Sequence, residues 1–250
     1  MTEFICVIPA RYGSQRLPGK PLLMLAGKPL VQWAWESAIA SDASSVVIAT
    51  DDDRIAAAAK GFGAEVVMTR DDHPSGTDRL AEVADRLALS DDQIVVNLQG
   101  DEPSVSPRLL NQVARLLIDN PDASMSTLSE AIGDPADYRN PNVVKVVRAD
   151  TGRALYFSRA SIPFCRDDDQ PLFGGRVQRH LGLYGYRAGL LRRFVQWPES
   201  TLEQTEKLEQ LRVLQAGEGI WIDEACAPSS PGIDTQAQLD ALNRQWAGQS

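Results

Sequence analysis

The sequence predicts an α/β fold with a Rossmann-like, mostly parallel sheet flanked by helices. Short β-branched runs alternate along the chain with longer stretches of helical periodicity, the pattern of strands joined by crossover helices. Residues 4–8 (FICVI), 45–50 (SVVIAT), 65–68 and 93–98 (QIVVNL) read as buried strands. Between them, 29–40 carries helical periodicity through Leu30, Trp33, Ala34 and Ser37. Residues 51–59 open on acidic side chains that suit a helix N-terminus, and 76–87 reads as a further helix. Four strands and their helices within the first hundred residues make a lobe of nucleotide-binding type.

The second half is less regular. Residues 143–147 (VVKVV), 155–157, 183–186 and 220–224 read as strands, 203–215 as one helix and 235–246 as the terminal helix. Charge, Pro and Gly together at 165–178 (CRDDDQPLFGGRVQ) predict an exposed, mobile loop.

Composition narrows the function classes. The 250 residues are 43% hydrophobic and 24% charged, ordinary for a globular chain able to bury a core without staples. A net charge of −9 repels polyanions, which argues against nucleic acid or an acidic membrane as partner. Small anions remain open where basic residues converge, and Arg11, Arg16 and Lys20 do so within one short segment. Cys6, Cys165 and Cys226 are odd in number and lack metal-ligand spacing, which points to a reducing compartment. The opening MTEFICVIPARYG has no basic stretch before its apolar run, and that run is too short for a signal or a span. A soluble, cytoplasmic protein is expected.

Five segments carry chemistry. PARYGSQRLPGKPL (9–22) follows the first strand, at the sheet edge where open α/β folds bind ligands. Its Gly13 and Gly19 admit close backbone approach, and Arg11, Arg16 and Lys20 supply charge for phosphates. It is neither GxxxxGK[ST] nor GxGxxG, so P-loop NTPases and dinucleotide dehydrogenases lose ground. NLQGDEP (97–103) ends the fourth strand, and there Asp101 suits a hard cation as well as it suits an Asx-turn or a cap. In PGIDT (231–235), Asp234 reads first as the N-cap of the last helix. In HPSGTDRLAE (73–82), Ser75, Gly76 and Thr77 either cap a helix or present hydroxyls and N–H groups to an acceptor. The fifth constellation is spread over 140–147, 154–163, 179–187 and 206–212; a lone His such as His180 is more often structural than catalytic.

A strand followed by PAR-x-x-S-x-R-LPGKPL resembles the signature loop of the sugar-nucleotide cytidylyltransferases, with the GKPL ending of the Kdo-specific branch. The resemblance runs over nearly the whole chain, with the motifs in order. It implies a nucleotide-diphospho-sugar transferase type of fold with a smaller lobe for sugar binding and dimerisation. Residues 1–130 would form the nucleotide-binding part, 131–225 the acid-sugar and dimerisation part, and 226–250 a segment returning to the first part. Arg11, Arg16 and Lys20 would meet the triphosphate, Ser75, Gly76 and Thr77 the cytosine and phosphates, and Gln99 the base or ribose. Asp101 and Asp234 would hold Mg²⁺, which requires the terminal segment to fold back on the first lobe. Arg159, His180, Tyr184, Glu209 and Gln210 match the family's acid-sugar positions.

The resemblance further implies a homodimer that joins CMP from CTP to Kdo, with Lys20, Asp101 and Arg11 carrying the chemistry. Three other readings stay open on the residues alone. One is a cytidylyltransferase for neuraminic acid or 8-amino-Kdo. Another is a non-catalytic nucleotide sensor, which would need no metal carboxylates. The last is a nucleotide-sugar glycosyltransferase, which would carry a D-x-D motif where this chain has Gly-Asp-Glu.

Overall fold

The computed structural model describes residues 3–13, 17–166, 175, 177–229, 232–233 and 235–247. Strand β1 (Phe4–Ala10) leads through a 3₁₀ turn (Lys20–Leu22) and the short strands β2 (Met24–Leu25) and β3 (Lys28–Pro29) to α1 (Leu30–Ile39). Then follow β4 (Ser45–Thr50), α2 (Asp53–Gly61), β5 (Glu65–Met68), α3 (Gly76–Arg86), β6 (Ile94–Asn97), α4 (Pro107–Asp119) and β7 (Met125–Ala131). The remainder is α5 (Pro135–Arg139), β8 (Lys145–Arg148), β9 (Ala154–Ser158), β10 (Gln178–Arg187), α6 (Ala188–Phe194), α7 (Thr201–Glu206), α8 (Gln210–Gln215), β11 (Ile220–Glu224) and α9 (Gln236–Ala247).

The main sheet has the order β11-β7-β10-β6-β1-β4-β5, with β8 joining β10 to β9. β1 lies parallel to β4 and β6, β4 to β5, and β7 to β11, whereas β10 is antiparallel to both β6 and β7. Six of the seven strands on this path therefore point one way, and the largely parallel expectation holds. β1 is buried on both faces, as a central parallel strand is. Cys6 and Ile8 face a layer with α1, α2 and α4, while Ile5 and Val7 face a layer with α3, α6 and α8.

Pro9 does not end β1, as the sequence suggested. Val7 accepts a hydrogen bond from Leu98 N (3.2 Å), so Pro9, two residues on, turns its missing N–H to the same side. β6 has already finished opposite Val7, and no ladder bond is lost. The helix expected at 203–215 is two helices. Ser200 opens α7 with a capping box, and Lys207 at φ 54° breaks the chain before α8. The strand expected at 183–186 extends over ten residues as β10. Helix α4 and strands β7 and β8 occupy ground for which the sequence pattern gave no element or only an approximate one. Most of 165–178 lies outside the described residues.

Gly185 of β10 is where the fold is tightest. A Cβ there would lie 2.6 Å from Ser126 Oγ and 3.1 Å from the Val113 carbonyl oxygen of α4. Overpacking of this kind costs about 1–3 kcal/mol. Gly185→Ala is expected to lower the unfolding free energy by at least that amount in urea denaturation, with an unchanged m-value.

Candidate active site at the sheet switch point

From β1 the chain moves to β4 and β5 on one side and then crosses to β6 on the other, so the crevice beyond β1 and β6 is a topological switch point. The two loops meet there closely. A Cβ on Gly100 would lie 3.2 Å from the Pro9 carbonyl oxygen, so a side chain at this position would push the loops apart. Gly19, at φ 69°, donates its N–H to Tyr12 O (2.9 Å) and closes the loop after β1. That turn delivers Lys20, buried despite its charge, and its Nζ forms an ion pair with Asp101 Oδ2 from the loop after β6. Arg16 lies outside the described residues. Arg11 is exposed, and its charge adds to burial in lowering the pKa of Arg79. Arg79 in turn ties α3 to the strand ends, reaching Asp51 Oδ1 (3.3 Å) and Thr69.

The terminal segment folds back to this point. Ile233 N donates to the Asp101 carbonyl oxygen (3.1 Å), and Gly232 stands beside Asp101 and Glu102. Ile233 is buried with Leu25, Leu30 and Leu239, while Asn243 of α9 bonds Ala26 N (2.9 Å) and Met24 O (3.1 Å). The path that a carboxylate pair from Asp101 and Asp234 demands is thus present, although Asp234 itself lies outside the described residues. Burial, and then the charge of Asp101, push the neighbouring Glu102 carboxyl up to about 8.

At the start of α3, Ser75 Oγ accepts from Asp78 N (3.3 Å) and donates to Asp78 Oδ2 (2.6 Å), so it is a cap. Thr77 Oγ1 donates to Glu209 Oε2 (2.9 Å), and a Cβ on Gly76 would lie 3.9 Å from the Pro9 ring. A cavity of about 200 Å³ opens between Thr77, Gln99, Asn97, Tyr186 and Glu209. A larger one of about 460 Å³ adjoins it, lined by Glu102, Asn142, Arg179 and His180 among others. Tyr184, Leu208 and Gln210 belong to both walls. A bulge in β10 between Leu181 and Tyr184 shifts the register just where Tyr184 enters the wall. His180 packs edge-on to Phe157, and its Nε2 lies 3.0 Å from Thr127 Oγ1. Burial pushes its imidazole down to about 3, so the ring is neutral near pH 7.

The cytidylyltransferase family profile matches residues 5–220. The chain belongs to that family. The 3-deoxy-manno-octulosonate cytidylyltransferase of Saccharophagus degradans is 52% identical over 247 residues, 96% of this chain and 97% of its own. That of Alcanivorax borkumensis is 52% identical, with 99% and 100% covered. The structure of CMP:2-keto-3-deoxy-manno-octonic acid synthetase complexed with CTP superposes with a TM-score of 0.91 at 43% identity, covering 99% of this chain and all of that one.

Two of the expected sugar residues of this cytidylyltransferase have protein partners of their own. Arg159 lines neither cavity. Its guanidinium donates to the carbonyl oxygens of Glu206 (2.6 Å), Pro141 (3.0 Å) and Lys207 (3.4 Å), bracing the break between α7 and α8. Beside it, buried Lys145 gives its ammonium to Asn140 O (2.9 Å), Val143 O (2.5 Å) and Arg159 O (2.8 Å). Glu209 does face the smaller cavity, but its carboxylate is already engaged by Thr77. The guanidinium at the larger cavity belongs to Arg179, which holds Glu130 and Ser229 Oγ (3.1 Å). Arg179, Asn97 and Tyr186 were not singled out in sequence. Arg179 sits in the same RHLGLYGYR run as His180, and both line the larger cavity.

The loop that leads into Ser75 hangs on Glu82. This carboxylate, half-buried on α3, accepts from Arg70 N (3.0 Å) and Arg86 Nε (2.7 Å) and pairs with His73 Nε2. Burial alone would raise its pKa, but the bonds from Arg70, His73 and Arg86 together outweigh burial and bring it down to about 2. A carboxyl lowered on folding stabilises above its unfolded pKa and loses that contribution as pH falls through the folded one. On the order of 3 kcal/mol should therefore disappear between about pH 4.5 and 2. Glu82→Gln is expected to lose a comparable amount at pH 7 and to show a flatter acid limb when Tm is measured against pH.

Proposed function

We propose that this cytidylyltransferase transfers CMP from CTP to the anomeric hydroxyl of Kdo and releases pyrophosphate. The observation that carries the reading is the meeting of Lys20 and Asp101 at the switch point, beside two adjoining cavities. It occurs in a chain whose relatives, half identical over their full length, are named for this reaction. In the reaction the anomeric oxygen bonds to the α-phosphorus, and the bond from that phosphorus to the β-phosphate oxygen breaks with its electron pair. Lys20, with Arg11 and Arg16, offsets charge on the phosphates and the leaving oxygen, since positioning and electrostatics dominate this class of transfer. Ser75, Gly76, Thr77 and Gln99 face the nucleoside, and His180, Tyr184, Glu209 and Gln210 face the acid sugar, with Arg159 bracing the wall behind them. Burial keeps the His180 imidazole neutral and a weak base, and Asp101 is the carboxylate paired with Lys20 at the reacting end.

The donor set fits Mg²⁺. Asp101 spends Oδ2 on Lys20, and its Oδ1, a hard carboxylate oxygen, lies beside Gly232 of the returning segment. Asp101 and Asp234 would hold the ion, which when bound supplies charge neutralisation at the phosphates and acidifies the sugar hydroxyl. Among the described residues no helix is long and apolar enough to cross a membrane. The odd cysteines support the cytoplasm as location, and exposed Phe164 and Leu155 support a homodimer contact. The product, CMP-Kdo, serves lipopolysaccharide biosynthesis.

Pyrophosphate release with Mg²⁺ and CTP should appear with Kdo and stay weak with 8-amino-Kdo or N-acetylneuraminic acid. CTP binding without release under any of the three would make the protein a nucleotide sensor. Asp101→Asn is expected to abolish turnover nearly completely while keeping the wild-type circular dichroism; unchanged Mg²⁺-dependent rates would remove Asp101 from the metal site. Lys20→Ala should cost about 3–4 kcal/mol of transition-state stabilisation, comparable to loss of one oxyanion donor. A change under about threefold in kcat/KM would end its phosphate role.

A further inference from the structure

Asn97 closes β6 and pairs directly with Tyr184 of β10, so the two side chains stand on one face of the sheet. Tyr186, two residues along β10, shares that face, and its buried hydroxyl meets Thr77 and Asn97. Asn97 is 2% exposed, yet its Oδ1 has no hydrogen-bond partner. Across the same cavity of about 200 Å³, Gln210 is 4% exposed and its Nε2 likewise has none. Buried polar atoms are nearly always paired, so an unmatched acceptor and an unmatched donor on one cavity wall mark the place of a partner that arrives from outside. Its chemistry follows from the two senses. A carboxylate only accepts and an ammonium only donates, whereas a hydroxyl does both.

We propose that Asn97 is a specificity-determining residue for this cytidylyltransferase. Its Oδ1 accepts from, and Gln210 Nε2 donates to, one hydroxyl of the acid sugar. The assignment rests on the Kdo reading above and deepens it. The ribose of CTP also offers hydroxyls, and Thr77 and Gln99 line the same cavity, but Tyr184, Glu209 and Gln210 of the sugar set line it too, and the walls shared by Tyr184, Leu208 and Gln210 continue into the larger cavity. Water can fill the same two roles before substrate enters, without conferring any dependence on the sugar.

The test is steady-state kinetics of the full chain with Mg²⁺, varying Kdo at saturating CTP and then the reverse. Asn97→Leu, similar in size and without the acceptor, is expected to raise KM for Kdo about tenfold or more while KM for CTP stays within about twofold. Asn97→Asp, which keeps the acceptor, should recover part of that loss. A KM for Kdo within about twofold of wild type would mean water alone occupies the pair, and a rise confined to CTP would assign it to the ribose; either result overturns the proposal. If Asn97→Leu loses the wild-type melting transition, Gln210→Leu reads the same pair from helix α8, with the same split expected and an unshifted KM for Kdo counting against it. Wild-type protein that releases no pyrophosphate with Kdo would overturn the functional reading itself, whereas active wild type with unshifted variants would overturn this assignment alone.

Discussion

The site depends on one strand running against its neighbours. β10 is threaded antiparallel between β6 and β7, so its beginning, not its end, projects at the edge where the parallel strands deliver their loops. Arg179, His180 and Tyr184 therefore arrive beside the loops after β1 and β6. The bulge before Tyr184 shifts the register at that point. A parallel strand in this place would send the same residues to the opposite edge. The tight seat of α4 on Gly185 fixes the strand's depth, which in turn fixes the walls of both cavities.

Electrostatics at the switch point follow from that crowding. Two loops carrying a buried ammonium and a carboxylate are brought within contact, and each charge answers the other. Burial of such charges is tolerable only when they are paired. Burial and the charge of Asp101 shift the neighbouring Glu102 toward its neutral form, against the pull of Lys20. Among the described residues the terminal segment reaches Asp101 through its backbone, Ile233 N donating to the Asp101 carbonyl oxygen, and this clasp holds the loop. Beside the larger cavity, Lys145 and Arg159 spend their charges on backbone carbonyls. They stiffen the 140–143 loop and the α7–α8 break without facing the cavity.

Much of this was legible in the sequence, for definite reasons. The first-lobe strands are continuous apolar runs with few alternative conformations, and β4, β5 and β11 fall on the residues expected. The loop motif 9–22 and Asp101 declared themselves because Gly, Pro, Arg and Asp are poor core residues at the ends of buried strands. What escaped was set by contacts distant in the chain. The 203–215 segment has helical periodicity throughout, and nothing local announces the left-handed turn at Lys207, which the carbonyl contacts of Arg159 brace. Arg159 itself matched a sugar motif, yet its partners come from loops that no spacing rule joins.

The sequence by itself determined the α/β class, the Gly-, Pro- and Arg-rich loop after β1, the position of Asp101 and the family resemblance, since each rests on local pattern or contiguous motif. Only the tertiary structure decided the reversed direction of β10, the return of Ile233 to Asp101 and the cavity that Asn97 and Gln210 share. Strand direction, segment return and cavity walls are set by pairing and packing between residues tens to hundreds of positions apart, and one-dimensional periodicity carries no record of them.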